Sequence, residues 1–521
     1  MSLATCVPQT FSSLILPPST SLLSLSVLPV TNFSANVSSF YRYTQPSISF
    51  SNLSFCNVTL SYTHPGQNDN VTIETWLPLS THWNGLLQAL GGGGWQSGRF
   101  YLPYEGMKGA VADGYATITT DAGLGYSERS RDWALVSPGN VNLYLLQNLG
   151  SVALADEAAI GKEVVKEFYG KKPDYSYWNG CSQGGRQGVM LAQRYPEAYD
   201  GISAGAPAIY WSEVMAGTDW SQVVMNDIGE YPFGCEITAI SLNATRECDG
   251  LDGVTDGVVI NIDGCLGSYD PFRLVGEEID CPQAPGGKVK ITEAAAVVLN
   301  QTWHGRALAD GTPAWVGWTP GSDLIGNGSG LAITNCTVDG KCKGDPVELG
   351  VDWFRLFVAR NASFDATNLT HEEYDWFVRT SKQVYGGFIE TDDPDLGDFR
   401  KAGGKMISWH GTVDQILPHK ATEKYYNAVS AVMPDVGSFY RHYQIPGLEH
   451  CFGGPASNPT SLFQQLRAWV ENGTVPESSP IELTVPSGEK QDRIICPFPQ
   501  KAKYDSACGD EGLAECWACA L

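Results

Sequence analysis

The sequence predicts an α/β fold in which a sheet domain is interrupted by a large inserted domain. Three observations lead there. Strand and helix patterns alternate from about Phe55 to Pro207 and resume from about Gly403 to Asn472. Between them, Ile209 to Arg400 is rich in Gly, Asp, Trp and local cysteines and loses the alternation, as an insertion between core strands does. Gly180-Cys181-Ser182-Gln183-Gly184 joins an aromatic strand pattern, Asp174 to Asn179, to a helix pattern, Gly188 to Arg194, which is the form of a sharp strand-to-helix turn. At 521 residues the chain exceeds one ordinary domain. The expected division is 1–208 for the first part of the catalytic domain, 209–400 for the insertion, and 401–521 for the second part with a C-terminal tail.

Taken in order, the Pro/Ser-rich stretch Leu14 to Val30 is expected to run over the surface as an arm, with Cys6 tied to Cys56. The apolar run Leu86 to Leu90 is followed by Gly91-Gly92-Gly93-Gly94-Trp95. Glycines after a strand expose backbone N–H groups, as an oxyanion hole requires; a phosphate cradle would need a following Lys-Ser or Lys-Thr, which is missing. Gly92 and Gly93 are the candidate donors, with the N–H of Gln183 as the second arm.

Ser182 is then the candidate nucleophile, and a serine needs a base and an acid that holds the base in its tautomer. His410 opens Trp409-His410-Gly411-Thr412-Val413-Asp414 after the strand pattern from Lys405, which puts Asp414 at the carboxyl end of a strand. His450 ends the strand-then-loop pattern His442 to Glu449. The order Ser182, Asp414, His450 is that of α/β hydrolases, not of chymotrypsin or subtilisin. Cys181 adjoins the serine and Cys451 the histidine; a bond between them would clamp the site.

Cys248-Asp249-Gly250-Leu251-Asp252-Gly253-Val254-Thr255-Asp256-Gly257-Val258 sets three carboxylates among turn glycines. From composition it is either a solvated acidic turn or a Ca²⁺ loop, and its spacing is not that of an EF-hand. Fourteen cysteines suit an oxidising compartment; Cys516-Trp517-Ala518-Cys519 has no second pair to make a zinc site and reads as a stapled tail. Sequons at Asn32, Asn36, Asn52, Asn57, Asn70, Asn243, Asn300, Asn327, Asn335, Asn361, Asn368 and Asn472 also point to secretion. Met1 to Val30 lacks Lys and Arg and is broken by prolines, so the expectation is that a secretion signal has been removed or replaced. No run of about 18 apolar residues predicts a membrane span. A net charge of −24 argues against nucleic acid as a partner.

The Cys-Ser, Asp, His-Cys arrangement resembles the tannase and feruloyl esterase family. Its specific pieces here are Gly180 to Arg186, Gly411-Thr412-Val413-Asp414 and Pro446-Gly447-Leu448-Glu449-His450-Cys451. The resemblance implies a secreted α/β hydrolase whose lid, 209–400, supplies much of the substrate pocket. It further implies a Cys181–Cys451 bond and a structural Ca²⁺ held by Asp249, Asp252 and Asp256 side chains and the Val254 and Val258 carbonyls, with Cys248 paired to Cys265. The expected activity is hydrolysis of phenolic-acid esters, feruloyl esters of plant cell-wall polysaccharide ahead of galloyl esters, with no organic cofactor. A catalytically silent, calcium-dependent carbohydrate-binding protein is the alternative of another class, and it gives no reason to keep a complete triad with its glycine run.

Overall fold

The computed structural model describes residues 3–326 and 330–521. Its centre is a nine-stranded sheet. In chain order the strands are β1 (Ser21–Val37), β2 (Ile48–Thr63), β3 (Val71–Pro78), β4 (Leu86–Leu90), β5 (Ala116–Thr120), β6 (Tyr175–Cys181), β7 (Gly201–Gly205), β8 (Lys405–Gly411) and β9 (Tyr440–Ile445). Across the sheet the order is β1-β2-β3-β5-β4-β6-β7-β8-β9. The first three strands and the β3–β5 pair are antiparallel. From β5 through β4 to β9 every pair is parallel.

The expected surface arm is irregular chain only as far as Thr20; from Ser21 it is β1, the mostly exposed edge strand. Its Leu/Ser/Val sequence suits an extended chain, and Pro29 is tolerated because an edge strand has one unpaired side. Cys6 is bonded to Cys56 of β2, as expected.

Parallel strands need crossovers, here helices α1 (Tyr101–Ala112), α2 (Ala153–Tyr169) and α3 (Gln183–Arg194). Both faces of the parallel part of the sheet are covered, so neighbouring strand residues there enter different cores. Trp178, Ile202 and Met406 pack with α2 and α3 residues such as Val164 and Val189. Tyr177 and Ile407 pack on the other face with Met107 of α1 and with Phe463 and Trp469.

After β7 the chain leaves the sheet and returns at β8, which pairs directly with β7. The segment between is mainly helical, including α4 (Trp211–Gly217), α5 (Trp220–Ile228), α6 (Gly234–Cys248), α7 (Glu293–His304) and α8 (His371–Ile389). Local bonds Cys235–Cys281, Cys248–Cys265 and Cys336–Cys342 staple it. Its aromatics are mostly core: Trp211, Trp220, Trp318, Trp353, Phe354, Phe357 and Tyr374 are all buried. Trp95, at the end of the glycine run, stacks on Phe357 at 5.3 Å and meets Trp211 edge-on at 5.3 Å, which fastens this segment over the strand ends. The chain resumes with α9 (His419–Val432) and α10 (Leu462–Asn472). The tail is stapled by Cys496–Cys519 and Cys508–Cys516.

Candidate active site

Ser182 sits between β6 and α3 with φ 63° and ψ −121°, a conformation that L residues adopt only under constraint. The constraint is visible in its hydrogen bonds. Ser182 N–H donates to Gly205 O at 2.9 Å, and Ser182 O accepts from Arg186 and Ala208 N–H at 2.9 and 3.2 Å. The motif glycines are required by close approach: a Cβ on Gly180 would lie 2.6 Å from Gly184 C, and one on Gly184 would lie 2.9 Å from Gly92 O. Arg186 is fully buried and binds Gln183 Oε1 at 2.7 Å, Leu149 O at 2.7 Å and Gly150 O at 2.9 Å, tying the elbow to the chain before α2.

The candidate acid and base, Asp414 and His450, lie in the loops after β8 and β9. Those loops touch: a Cβ on Gly411 would lie 2.1 Å from Leu448 O, and Val413 N–H donates to Leu448 O at 3.2 Å. His450 Nδ1 is 2.6 Å from Asp414 Oδ2, which leaves Nε2 for the serine proton. The other Asp414 oxygen accepts the N–H groups of Ile416 and Leu417, both at 2.8 Å. Burial opposes the Asp414 charge, but His450, His410 and their hydrogen bonds outweigh it and hold the carboxyl well below its ordinary value. Cys181 and Cys451 are bonded with Cα atoms 6.0 Å apart, so the predicted clamp joins the nucleophile strand to the histidine loop. Among the described residues, Ser182 Oγ makes no hydrogen bond.

Two participants escaped the sequence reading. His410 Nε2 is 3.0 Å from the same Asp414 Oδ2, and its Nδ1 is 2.8 Å from Thr422 Oγ1. Its spacing from Asp414 along the Trp409 to Asp414 motif is the only sequence hint. Gln187 of α3 accepts Gly92 N–H at 2.9 Å and donates to Ser97 O and Oγ at 3.0 and 2.9 Å, so one buried amide laces the glycine loop to the nucleophile helix.

That lacing corrects the oxyanion expectation. Gly92 N–H is taken by Gln187, and Gly93 N–H donates to Gln96 O at 3.1 Å, so neither is free to hold an oxyanion. Among the described residues, the N–H groups of Gln183 and Gly94 have no hydrogen-bond partner. Gly94 has φ 54°, a left-handed turn that glycine adopts readily.

In the acidic loop, Asp249 accepts Asp256 N–H at 3.1 Å and Gly257 N–H at 2.9 Å. Asp252 and Asp256 accept the N–H groups of Val254 and Val258 at 3.1 and 3.2 Å. Burial pushes the Asp256 carboxyl up to about 6; Arg493, 3.4 Å away, opposes this, and Asp249 and Asp252 add to it. Burial raises Asp252 as well. Crowded hard oxygen donors of this kind suit Ca²⁺ chemically. As the side chains stand, no group of three or more His, Cys, Asp or Glu converges on a metal position among the described residues.

Of the sequons, Asn32, Asn36, Asn52, Asn70, Asn335, Asn361, Asn368 and Asn472 are exposed, while Asn57 and Asn300 are half-buried. Asn243 is a correction: it is buried in α6 and its amide oxygen accepts Tyr269 O–H at 2.7 Å, so packing excludes a glycan. Asn327 lies outside the described residues. No helix among them is long and apolar enough to cross a membrane.

With this geometry in place, comparison with known proteins is informative. The family model described as "Tannase and feruloyl esterase" matches residues 56–520. A probable feruloyl esterase of Arthroderma benhamiae is 36% identical, the match covering 91% of this chain and 87% of that protein. A tannase of Aspergillus oryzae is 29% identical, over 93% of this chain and 89% of that protein. The structure of tannin acyl hydrolase from Aspergillus niger superposes with a TM-score of 0.87 at 27% identity, covering 99% of this chain and 95% of that one. The α/β-hydrolase expectation holds.

Proposed function

The chain belongs to the tannase and feruloyl esterase family, and from that premise we propose that it hydrolyses feruloyl and related hydroxycinnamoyl esters through an acyl-enzyme on Ser182. It is a carboxylic ester hydrolase of the phenolic-acid class. The observation that carries the mechanistic reading is the Asp414–His450 pair, whose loop is tied to the Ser182 strand by the Cys181–Cys451 bond. The cinnamoyl preference is supported by the 36% identical relative named for that activity.

In the first step Ser182 Oγ attacks the ester carbonyl while His450 Nε2 takes its proton. Asp414 holds the imidazole through Nδ1–H and stabilises the imidazolium that forms. The N–H groups of Gln183 and Gly94, which have no other partner among the described residues, would be the donors to the developing oxyanion. Imidazolium then protonates the departing alkoxide. In the second step His450 takes a proton from water as the water attacks the acyl carbonyl; the bond to Ser182 Oγ then breaks, the imidazolium returns the proton to Oγ, and the acid leaves.

The second reading is a galloyl esterase, favoured by the superposition on tannin acyl hydrolase. A galloyl pocket must satisfy three ring hydroxyls, and unpaired pocket groups would penalise the wrong ring heavily. Secretion and attachment of the substrate to polysaccharide belong to the same proposal; fourteen cysteines in seven disulfides support the former. A structural Ca²⁺ held by Asp249, Asp252, Asp256, Val254 and Val258 is also proposed; it would neutralise the acidic loop, and no catalytic step passes through it.

The test is a set of initial rates on methyl ferulate, caffeate, p-coumarate, sinapate and gallate, with Ser182→Ala as control. Faster turnover of the cinnamates supports the first reading. Faster turnover of gallate replaces it with the second.

A further inference from the structure

We propose that Phe40, Phe452, Tyr41 and Tyr101 form a subsite for the departing alcohol of the ester, recognising the flat face of a sugar or phenolic ring. The proposal rests on the esterase reading above and adds the side of the substrate on which that reading is silent.

The position follows from the clamp. Phe452 adjoins Cys451, which is bonded to Cys181 with Cα atoms 6.0 Å apart, and Cys181 adjoins Ser182. With consecutive Cα atoms 3.8 Å apart, Phe452 Cα lies within about 14 Å of Ser182 Cα. Phe40 stacks on Phe452 with ring centroids 5.4 Å apart and planes 14° from parallel. Beside it Tyr41 meets Tyr101 edge-on at 5.3 Å, and their hydroxyls are 3.3 Å apart. Tyr101 follows Phe100, whose ring would lie 3.3 Å from a Cβ on Gly93. The four rings therefore run from the histidine loop towards the glycine loop.

Phe40 and Tyr101 are displayed, while Tyr41 and Phe452 are half-buried and Phe452 packs against the core beneath. Phe40 is 48% exposed and Tyr101 58% exposed. The helical turn Ser39–Arg42 that carries Phe40 and Tyr41 is anchored from beneath by Arg42, only 2% exposed, which bonds Asp113 and Pro46 O, and from its start by the Ser38 cap on Phe40 N–H. With Phe452 stacked on one face of Phe40, the fixed base leaves the rest of Phe40 and the Tyr101 ring open to solvent, and a flat ligand ring covers such aromatic surface well. The reaction decides which part of the substrate comes here. His450 hands its proton to the departing oxygen, so the alcohol lies on the histidine side, where Phe452 stands, while the carbonyl oxygen points to Gln183.

The test measures kcat/KM for three esters of whichever acyl group the wild type turns over faster: the methyl ester, an arabinoside ester and a phenyl ester. Phe40→Ala and Tyr101→Ala should each lower the ratio of ring-alcohol to methyl-ester kcat/KM about threefold to tenfold, mainly through KM, and Phe40→Tyr should restore it. A fall confined to the arabinoside marks a sugar subsite, and one confined to the phenyl ester a phenolic subsite. An unchanged ratio in both Ala variants, whether from no loss or from equal loss on all esters, overturns the subsite and leaves the esterase reading standing. A wild type inert on all three overturns both.

Discussion

His410 Nε2 lies 3.0 Å from Asp414 Oδ2, the oxygen that also accepts from His450 Nδ1. With Thr422 Oγ1–H donating to Nδ1, His410 is held as the tautomer that donates from Nε2. The Asp414 carboxylate is thus fixed by a second, fully buried imidazole. Loss of a charge-assisted hydrogen bond to a buried carboxylate is worth about tenfold in rate. His410→Ala should lower kcat by that order with KM little changed, and His410→Gln, which keeps a donor, should recover part of the loss. Steady-state kinetics of the pair check this; equal losses in both would reduce His410 to core packing.

The clamp closes a loop of 270 residues. In the chain-entropy model that contributes about 5.6 kcal/mol, and the bond also restrains the His450 loop relative to the Ser182 strand. Cys181→Ala combined with Cys451→Ala should lower the melting temperature by several degrees and kcat about tenfold or more. Calorimetry and initial rates on the double variant read both; unchanged values contradict the clamp.

Stability should fall as pH rises from about 4.5 to about 7 because of Glu390. It is 5% exposed, and burial pushes its carboxyl from 4.5 up to about 7. Over that window the unfolded chain has lost the proton that the folded chain retains, so deprotonation favours unfolding by roughly 3 kcal/mol in total. Melting temperatures of wild type and Glu390→Gln across this range are the check. Gln can still accept the Ser212 N–H that Glu390 binds at 3.2 Å, so the variant should flatten the dependence.

How much of this is legible in sequence depends on whether a residue carries its partner's mark. Ser182, Asp414 and His450 do, because the elbow glycines, the strand ends and the adjoining cysteines each narrow the choice. The roles of His410 and Gln187 come from long-range contacts between buried polar groups, which no local pattern encodes. The glycine run is visible, but which N–H remains free is settled by Gln187 and Gln96, so the expectation of Gly92 and Gly93 fails where Gly94 stays open. Within Leu14 to Val30 the part from Ser21 misleads, because Pro29 and the serines suggest a loop, yet an edge strand accepts both. Asn243 carries a sequon, but the helix turns it inward.

Chelation tests the acidic loop. If Ca²⁺ neutralises Asp249, Asp252 and Asp256, a chelator should lower the melting temperature while leaving kcat of the folded enzyme near its starting value, and added Ca²⁺ should reverse the shift. An unchanged melting temperature in protein shown to be metal-free contradicts the site.

The central claim is that Ser182 is the nucleophile, and covalent labelling tests it most directly. A phosphonate or sulfonyl fluoride should attach once per chain, on the peptide containing Ser182, and esterase activity should fall in step with the label while Ser182→Ala takes none. Full loss of activity with the label elsewhere, or full labelling of Ser182 with activity intact, would contradict the account.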